Sequence, residues 1–285
     1  MAKGLFWGLT TIDIFNTVAQ HPTPNQKIKT ERQDVCAGGP AANAAVAFAA
    51  FGHDTHLCCG LGFHPTAEAG RADLKKHGVS LHECSAIPNQ LPVISSILIN
   101  TSSADRCVIY ADPSKHKLSP DFDYQNLTNG CSVLLFDGFY PEQALSLAQI
   151  AKDKGIPTVL DGGSWKEGLE QLLPFIDYAI CSDDFYPPGC LNSEDTLALL
   201  SRTVRQGIAI SRGADSIIGC LDGQTQHIIP PEIQAVDTLG AGDILHGAFC
   251  HYILAHPFMK SLQLASKIAS LSCCHHGTRE WIKHL

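Results

Sequence analysis

The sequence contains no apolar run that approaches the roughly 18 residues of a membrane-spanning helix. The segment from Met1 to Asp13 also shows no clear signal-peptide cleavage pattern. We therefore expect a soluble, cytoplasmic protein that has no membrane partner.

Positive charge is also scarce. The chain has 20 Lys and Arg against 28 Asp and Glu, which gives a formal net charge of −8, and its basic residues form no block. A protein that binds nucleic acid or an anionic membrane usually carries such a block. We therefore expect no nucleic-acid partner and favour a small-molecule ligand.

Disulfide and zinc signatures are missing, although the chain has 12 cysteines. No C-x-x-C pair occurs, and most of the cysteines lie in apolar segments, which is typical of buried, reduced thiols. The run from Cys273 to His276 suggests a metal site, but successive residues of a helix point about 100° apart and cannot all face one ion. We therefore expect free thiols and no zinc site.

What is present is a globular composition, with 45% hydrophobic and 17% charged residues. From residue 131 onward, short apolar runs alternate with helical segments: SVLLFDGF, PEQALSLAQIAKDKG, TVLDGG, DYAICS, SEDTLALLSRTVRQG and IAISRG. This alternation predicts an α/β fold with a mostly parallel central sheet flanked by helices. We treat residues 1–285 as a single domain.

The rest of the chain fits the same fold class. We predict one strand over GLFWGLTTIDIF that ends near Asp13, a glycine-rich loop running into a helix over AGGPAANAAVAFAAFG, and a helix after the glycines of GAGDILHGAF. LPVISSILIN and RCVIY indicate an antiparallel pair, and SIIGCLDG with TQHIIPPE a hairpin.

Acidic and glycine residues recur where apolar strands end. Ligands of such sheets bind beyond the carboxyl ends of the strands. A single Asp or Gly at a strand end is more often an ordinary turn residue, but repetition along the chain favours one shared site. The residues concerned are Asp13, Gly38-Gly39, Asp137-Gly138, Asp161 to Gly163, Ser211 to Gly213 and Asp237 to Asp243.

The most specific segment runs from Asp237 to Asp243 and reads DTLGAGD. Its small residues would let a ligand approach the backbone, and a helix that starts there would direct free N–H groups at an anion. A carboxylate such as Asp243 would repel that anion unless it takes a proton from a reacting hydroxyl. The alternative is that Asp243 merely offsets the helix dipole.

This segment resembles the D-T-x-G-A-G-D signature of the ribokinase-like (PfkB) sugar kinase family, and the resemblance spans nearly the whole chain. GGPAAN, from Gly38 to Asn43, resembles the family's G-G-x-x-x-N signature, and Asp13 matches its substrate acid. The absence of a G-x-x-x-x-G-K-[ST] P-loop also agrees, because this family does not use one.

The resemblance implies an ATP-dependent kinase that uses Mg²⁺ and phosphorylates a sugar hydroxyl. Asp243 would be the general base, with the N–H groups of Gly240, Ala241 and Gly242 stabilising the transferring phosphoryl group. The implied sugar-binding residues are Asp13, Gly38, Gly39, Asn43, Arg106 and Asp161. The implied nucleotide-binding residues are Ser211, Arg212, Gly213, Thr238 and Ser266. A monovalent cation such as K⁺ would lie beside Asp237.

The family closes its site with a small β-sheet lid, which would be formed here by approximately 14–36 and 92–111. Lids of this kind often pair between subunits, so the resemblance implies a homodimer formed through the lid. Arg106 lies on the second segment and could reach the sugar. The alternative for Arg106 is a solvated strand residue.

One family motif is altered. Many members carry Asn-x-x-Glu after a central strand, where the glutamate orders Mg²⁺ through water, but this chain reads Ser182-Asp183-Asp184-Phe185. Asp183 could take over that role or could be a solvated cap. Many members also have an acid after the glycine where this chain has Gly62-Phe63-His64.

Ketohexokinase-like and sulfosugar-kinase-like members also lack Asn-x-x-Glu, so ketose, pentose and acidic-sugar kinases stay open. Two further readings remain. One is a nucleoside kinase, which only pocket shape separates from a sugar kinase. The other is a catalytically silent sugar or nucleotide sensor on the same scaffold, although a sensor has no need for Asp243 in an anion hole.

Overall fold

The computed structural model describes residues 1–102, 106–119 and 122–285. Residues 103–105, which belong to the predicted second lid segment, lie outside the described residues. Within the described residues the strands are β1 (Lys3–Trp7), β2 (Thr11–Val18), β3 (Arg32–Gly38), β4 (Asp54–Cys59), β5 (Val79–Glu83), β6 (Ile94–Asn100), β7 (Arg106–Tyr110), β8 (Cys131–Phe136), β9 (Thr158–Gly162), β10 (Tyr178–Ser182), β11 (Gly207–Ser211), β12 (Ile217–Leu221) and β13 (Gln224–Ile228).

The α-helices of the same residues are α1 (Pro40–Ala50), α2 (Glu68–Lys76), α3 (Tyr124–Leu127), α4 (Pro141–Asp153), α5 (Leu169–Leu172), α6 (Ser193–Leu200), α7 (Ala241–Tyr252) and α8 (Phe258–Cys273). No helix of the described residues is long and apolar enough to cross a membrane. All twelve cysteines are free thiols, and most are buried.

The large sheet confirms the predicted α/β class. Its strand order is β13-β12-β11-β10-β9-β8-β1-β4-β5. The strands from β11 through β5 pair in parallel, and β12 and β13 add the predicted antiparallel hairpin at one edge. All the parallel strands therefore direct their carboxyl ends to the same side of the sheet.

The core lies on both faces of this sheet. Leu5 and Trp7 of β1 join the core on one face, which α4 and α5 cover, while Phe6 points to the other face, covered by α1, α7 and α8. Helices α1 and α7 pack closely because Gly247 has no side chain: a Cβ there would lie 2.2 Å from the carbonyl oxygen of Ala44. This packing brings the N-termini of α1 and α7 to the same side of the sheet.

A second, smaller sheet has the order β3-β2-β6-β7. The β2–β3 and β6–β7 pairs are antiparallel, as predicted for β6 and β7, and β2 pairs with β6 in parallel. The side chains of Phe15, Cys36, Ile97 and Ile99 form its buried face and pack against Leu239. This sheet therefore contacts the DTLGAGD segment.

The prediction of one N-terminal strand is wrong. The chain leaves the large sheet after Trp7 and enters the second sheet at Thr11, so Asp13 lies inside β2 and does not end the first strand. The cause is Asp137, at the end of β8, whose Oδ2 accepts the N–H of Leu9 at 2.8 Å. The Asp137 carboxylate thus takes the place of a neighbouring strand as acceptor for the Leu9 N–H, at the point where the chain passes from one sheet to the other.

One further prediction is corrected, and one strand was missed. The helix predicted through Gly207 ends at Leu200, where the hydroxyls of Ser201 and Thr203 donate to the last helical carbonyl groups. Strand β5, the outer parallel strand, was not predicted. Its five residues contain only two apolar side chains, Val79 and Leu81, which is too short an alternation to indicate a strand.

Candidate active site

The N-terminus of α7 is open to a ligand. Gly240 precedes the helix with φ 69°, a left-handed conformation, and a Cβ there would lie 2.6 Å from the Cγ2 of Thr278. The first i→i−4 hydrogen bond of the helix runs from the N–H of Ile244 to the carbonyl oxygen of Gly240 at 2.9 Å, and the Ala241 N–H donates to the carbonyl oxygen of Thr238 at 3.4 Å. The N–H groups of Gly242 and Asp243 therefore precede the hydrogen-bonded ladder. Gly242 is exposed, and a Cβ on it would meet no atom within 4 Å. These features suit an anion at the helix end.

Asp243 lies in the first turn of α7 and accepts a hydrogen bond from Asn43 Nδ2 at 2.8 Å. Burial, and next the negative charge of Asp161, raise the pKa of its carboxyl to about 7. The hydrogen bond from Asn43 and the nearby His246 act in the opposite direction. A carboxyl with a pKa near 7 is suited to accept a proton at neutral pH.

Asp13 is 6% exposed and lies against the glycine pair. Thr11 donates its hydroxyl to Asp13, and a Cβ on Gly38 would lie 1.9 Å from Asp13 Oδ2, so only glycine fits at that position. Burial raises the pKa of Asp13. Gly39 has φ 91° and precedes α1, and a Cβ there would lie 2.4 Å from the carbonyl oxygen of Leu9. The structure thus brings Asp13, Gly38 and Gly39 together.

Asp161, at the end of β9, is 4% exposed and faces His246 of α7, with 3.3 Å between Oδ2 and Nδ1. His246 Nδ1 is also 2.6 Å from the carbonyl oxygen of Gly242, and Nε2 is 2.9 Å from that of Ile180. His246 was missed by the sequence analysis. Its spacing of three residues from Asp243 on one helix was the signal that could have found it.

Arg279 was also missed. Its Nη1 donates to Asn43 Oδ1 at 2.8 Å, and Asn43 in turn donates to Asp243. No local pattern marks this arginine, because its contact with Asn43 joins residues 236 positions apart in the chain. Asn43 of the predicted Gly38 to Asn43 signature is therefore held from the C-terminal segment.

On the predicted nucleotide side, the residues after β11 form a tight turn. The Ser211 hydroxyl donates to the carbonyl oxygen of Cys181 at 3.3 Å, Arg212 donates to the carbonyl oxygen of Ser216 at 3.0 Å, and Gly213 has φ 60°. Ser266 of α8 is 3% exposed, so its side chain is closed off from solvent. The structure does not bring Ser266 to the surface of this turn.

Asp237 and Thr238 begin the DTLGAGD segment. Asp237 Oδ1 accepts the N–H of Leu239 at 3.0 Å, and Oδ2 accepts that of Gly277 at 2.8 Å. The carboxylate therefore ties the segment to the chain beyond α8. Arg106 of β7 donates to Thr238 Oγ1 at 2.7 Å, which places it over the same segment.

The altered magnesium motif lies after β10. Phe185 is 1% exposed, and its ring packs edge-on against Trp165 with 5.6 Å between ring centres, so it belongs to the core. The Asp183 carboxylate accepts a hydrogen bond from the hydroxyl of Ser193. In the described part of the chain, no group of three or more His, Cys, Asp or Glu side chains could hold a metal ion. Mg²⁺ sites commonly combine nucleotide phosphates and water with one or two carboxylates, and Asp183 is a carboxylate at this position.

Comparison with known proteins identifies the family of the chain. The model of the pfkB family carbohydrate kinases matches residues 1–284. A ribokinase of Dictyostelium discoideum is 23% identical over 300 aligned residues, which cover 95% of this chain and 94% of the relative.

Solved structures share the whole fold. A candidate ribokinase from Agrobacterium tumefaciens has a TM-score of 0.86 and 24% identity, covering 99% of this chain and 98% of the other. The Arabidopsis thaliana ribokinase complexed with ribose and ATP has a TM-score of 0.77 and 20% identity, with coverage of 99% and 98%. The family model matches almost every residue, and the chain therefore belongs to the pfkB family of carbohydrate kinases.

Proposed function

We propose that this chain transfers the γ-phosphate of ATP to a hydroxyl of a sugar or sugar derivative, with Asp243 as the general base. Members of the family are phosphotransferases with an alcohol acceptor, and they use ATP with Mg²⁺. The observation that carries the assignment of Asp243 is its position. Its carboxyl, with a pKa raised to about 7, lies in the first turn of a helix whose N-terminus is open to an anion.

In the proposed mechanism, Asp13 accepts hydrogen bonds from sugar hydroxyls, and Gly38 and Gly39 leave room for the ring. Asp243 takes the proton of the reacting hydroxyl as its oxygen attacks the γ-phosphoryl group, and ADP leaves. The N–H groups of Gly240, Ala241 and Gly242 stabilise the negative charge that develops on the transferred group. Positioning and electrostatics supply most of the rate.

The nucleotide would bind along the turn at Ser211, Arg212 and Gly213 and next to Thr238, with Ser266 behind it in α8. Mg²⁺ would be held by the nucleotide phosphates and would supply positive charge beside the transferring group, and Asp183 would orient its outer water molecules. Asp237 would border a K⁺ ion, although both of its carboxylate oxygens already accept main-chain N–H groups.

The second sheet would act as the lid that excludes water, with Arg106 contacting an anionic part of the substrate. Its edge strand β7 exposes Val108, Ile109 and Tyr110, so we expect two copies to pair there as a homodimer. A cytoplasmic location would supply ATP and would keep the twelve cysteines reduced.

An ADP-release screen would identify the substrate. Ribose comes first, because a relative is a ribokinase, followed by deoxyribose, ketohexoses, sugar acids, sulfosugars and nucleosides. Turnover with a sugar supports the proposal, and turnover with nucleosides alone would establish the nucleoside-kinase alternative. A protein that binds a sugar or nucleotide but releases no ADP with any acceptor would be a sensor.

The same assay tests the base. Asp243→Asn is expected to lower kcat by about 10²–10⁴, the usual share of a general base, while ATP affinity measured by calorimetry stays unchanged. Asp153→Asn removes an exposed carboxylate of α4 and serves as the control that retains full activity. If kcat of Asp243→Asn equals that of the wild type, Asp243 is not the base.

A further inference from the structure

Arg279 lies in the segment after α8, and its side chain is 14% exposed. Its guanidinium contacts three separate elements. Nη1 donates to Asn43 Oδ1 of α1 at 2.8 Å, and Nη2 donates to the carbonyl oxygen of Ala37 in β3 at 2.6 Å and to Asp73 Oδ2 of α2 at 3.1 Å. One side chain therefore joins the strand that carries the glycine pair to the helix that carries Asn43.

The chemistry of the guanidinium fixes the orientation of the Asn43 amide. A guanidinium has only donors, so the Asn43 atom that faces Arg279 must be the carbonyl oxygen. The amide is planar, and its NH₂ group then faces away from Arg279, where Nδ2 lies 2.8 Å from Asp243 Oδ2. A donor at that oxygen favours the ionised carboxylate, which is the form that accepts a proton.

The reversed amide would have the opposite effect. It would place a carbonyl oxygen against Asp243, which could then form a hydrogen bond only while Asp243 keeps a proton. Among the described residues, Arg279 donates to Asn43 Oδ1, and replacing it removes that donor from the oxygen end of the amide. The orientation of this amide therefore bears directly on the ability of Asp243 to act as a base.

We propose that Arg279 is a positioning residue for phosphoryl transfer: it holds the Asn43 amide in the one orientation that keeps Asp243 ready to take the proton of the substrate hydroxyl. This inference rests on the proposed role of Asp243. Arg279 also fixes the strand next to Gly38, because it donates to the Ala37 carbonyl oxygen while the Ala37 N–H donates to Asp73 Oδ2 at 3.2 Å.

The surrounding charges are consistent with an effect through the amide. Arg279 is faced by Asp73, which balances its charge directly, and its field also reaches Asp13 and Cys36. Asp243 is faced by Asp161 from β9, by Asp13 from β2 and by His246 from its own helix. Because Asp73 pairs with the guanidinium, we expect orientation of Asn43 to outweigh any direct action of the Arg279 charge on Asp243.

The test is the pH profile of kcat with the sugar identified in the screen. Arg279→Gln is expected to move the acidic limb of the profile upward by about one pH unit, the size of a hydrogen bond exchanged between the charged and neutral forms. The KM for ATP should stay the same. Arg279→Lys, which retains a donor for Asn43 Oδ1, should show a smaller shift than Arg279→Gln.

Two controls separate positioning from stability. Arg71→Gln removes another half-buried arginine, which donates to Glu83 Oε2 at 2.6 Å, and should lower the Tm without moving the pH profile. In an Asn43→Ala background, Arg279→Gln should not move the pH profile further, because the amide through which it acts on Asp243 is gone.

A shift in Arg279→Gln that disappears in the Asn43→Ala background supports the inference. An unchanged pH profile with a lowered Tm, or equal effects of Arg279→Gln with and without Asn43, would overturn it. If Arg279→Gln does not fold, Arg279→Lys is judged by the same two criteria. Failure of the proposed function gives a different result, since Asp243→Asn would then retain its turnover.

Discussion

Helices α1 and α7 begin in similar ways but differ in what meets their N-terminal N–H groups. Each follows a glycine in the left-handed region, Gly39 with φ 91° and Gly240 with φ 69°, and each begins with small residues. At α1, the N–H of Ala41 donates to Asp137 Oδ2 at 3.2 Å, so the protein supplies its own anion. At α7, the helix end is open and carries an acid, Asp243, in its first turn.

This difference separates two uses of a carboxyl with a raised pKa. Asp137 is 1% exposed, and its oxygens accept N–H groups from Leu9, Ala41 and Phe139, so it connects the two sheets and α1. Among the described residues, Asp243 accepts its hydrogen bond from a side chain, that of Asn43. Burial is the leading cause that raises the pKa of both carboxyls to about 7, so the pKa alone does not distinguish them. Their hydrogen-bond partners do.

Gly240→Ala should have the largest effect on the open helix end. The added methyl group would lie 2.6 Å from Thr278, and the alanine would have to adopt φ 69°. We expect kcat to fall by at least about 10²-fold, because the displaced N–H groups would no longer stabilise the transferred group. Gly52→Ala is the matched control. It also has a positive φ, 78°, but a Cβ there meets nothing within 4 Å.

In the control, only the backbone strain of about 1–2 kcal/mol should appear, as a lower Tm with normal kcat. Thermal unfolding and steady-state kinetics on both variants check this prediction. Equal kinetic losses in the two variants would mean that the geometry at Gly240 has no special part in catalysis.

Asp13→Ala should affect the α1 side of the site alone. We expect sugar binding to weaken by roughly 1.5–3 kcal/mol, the range for hydrogen bonds to a charged group, with ATP binding nearly intact. Calorimetric titration with each ligand gives the result. Equal sugar affinity in variant and wild type would remove Asp13 from the binding site.

Asp183→Ala should have the smallest effect. If Asp183 orients the outer water molecules of Mg²⁺, its loss should raise the Mg²⁺ requirement by about 10-fold and leave the sugar KM unchanged. Its hydrogen bond from Ser193 provides the control, because Ser193→Ala removes that contact but keeps the carboxylate. Identical Mg²⁺ titrations for Asp183→Ala and the wild type would make Asp183 a structural residue.

The sequence predicted the features that depend on local pattern. The alternation after residue 131 indicated the parallel sheet, and the two glycine signatures indicated the starts of α1 and α7, all of which the structure contains. These signals lie within a few residues of the features they predict, and periodicity and turn chemistry are local properties.

The features that were missed depend on distant contacts. The break between β1 and β2 is caused by Asp137, which lies 128 residues from Leu9 in the chain, and Arg279 reaches Asn43 across 236 residues. Phe185 stands at the position of the expected glutamate, but only the packed structure shows that its ring belongs to the core against Trp165. No local pattern carries such information.

The central claim is that Asp137 stabilises the fold and that Asp243 acts in catalysis. The most direct test is to replace each residue by alanine and to measure kcat and Tm of both variants at pH 8. A folded-state pKa raised to about 7 means that the ionised Asp243 carboxyl destabilises the fold above that pH, and that this penalty disappears as pH falls towards 4. We therefore predict that Asp243→Ala lowers kcat by at least about 10²-fold and leaves the Tm equal or higher. Asp137→Ala should lower the free energy of unfolding by about 2–4 kcal/mol, because it leaves buried N–H groups without an acceptor. A stable Asp137→Ala protein together with a fully active Asp243→Ala protein would contradict the account.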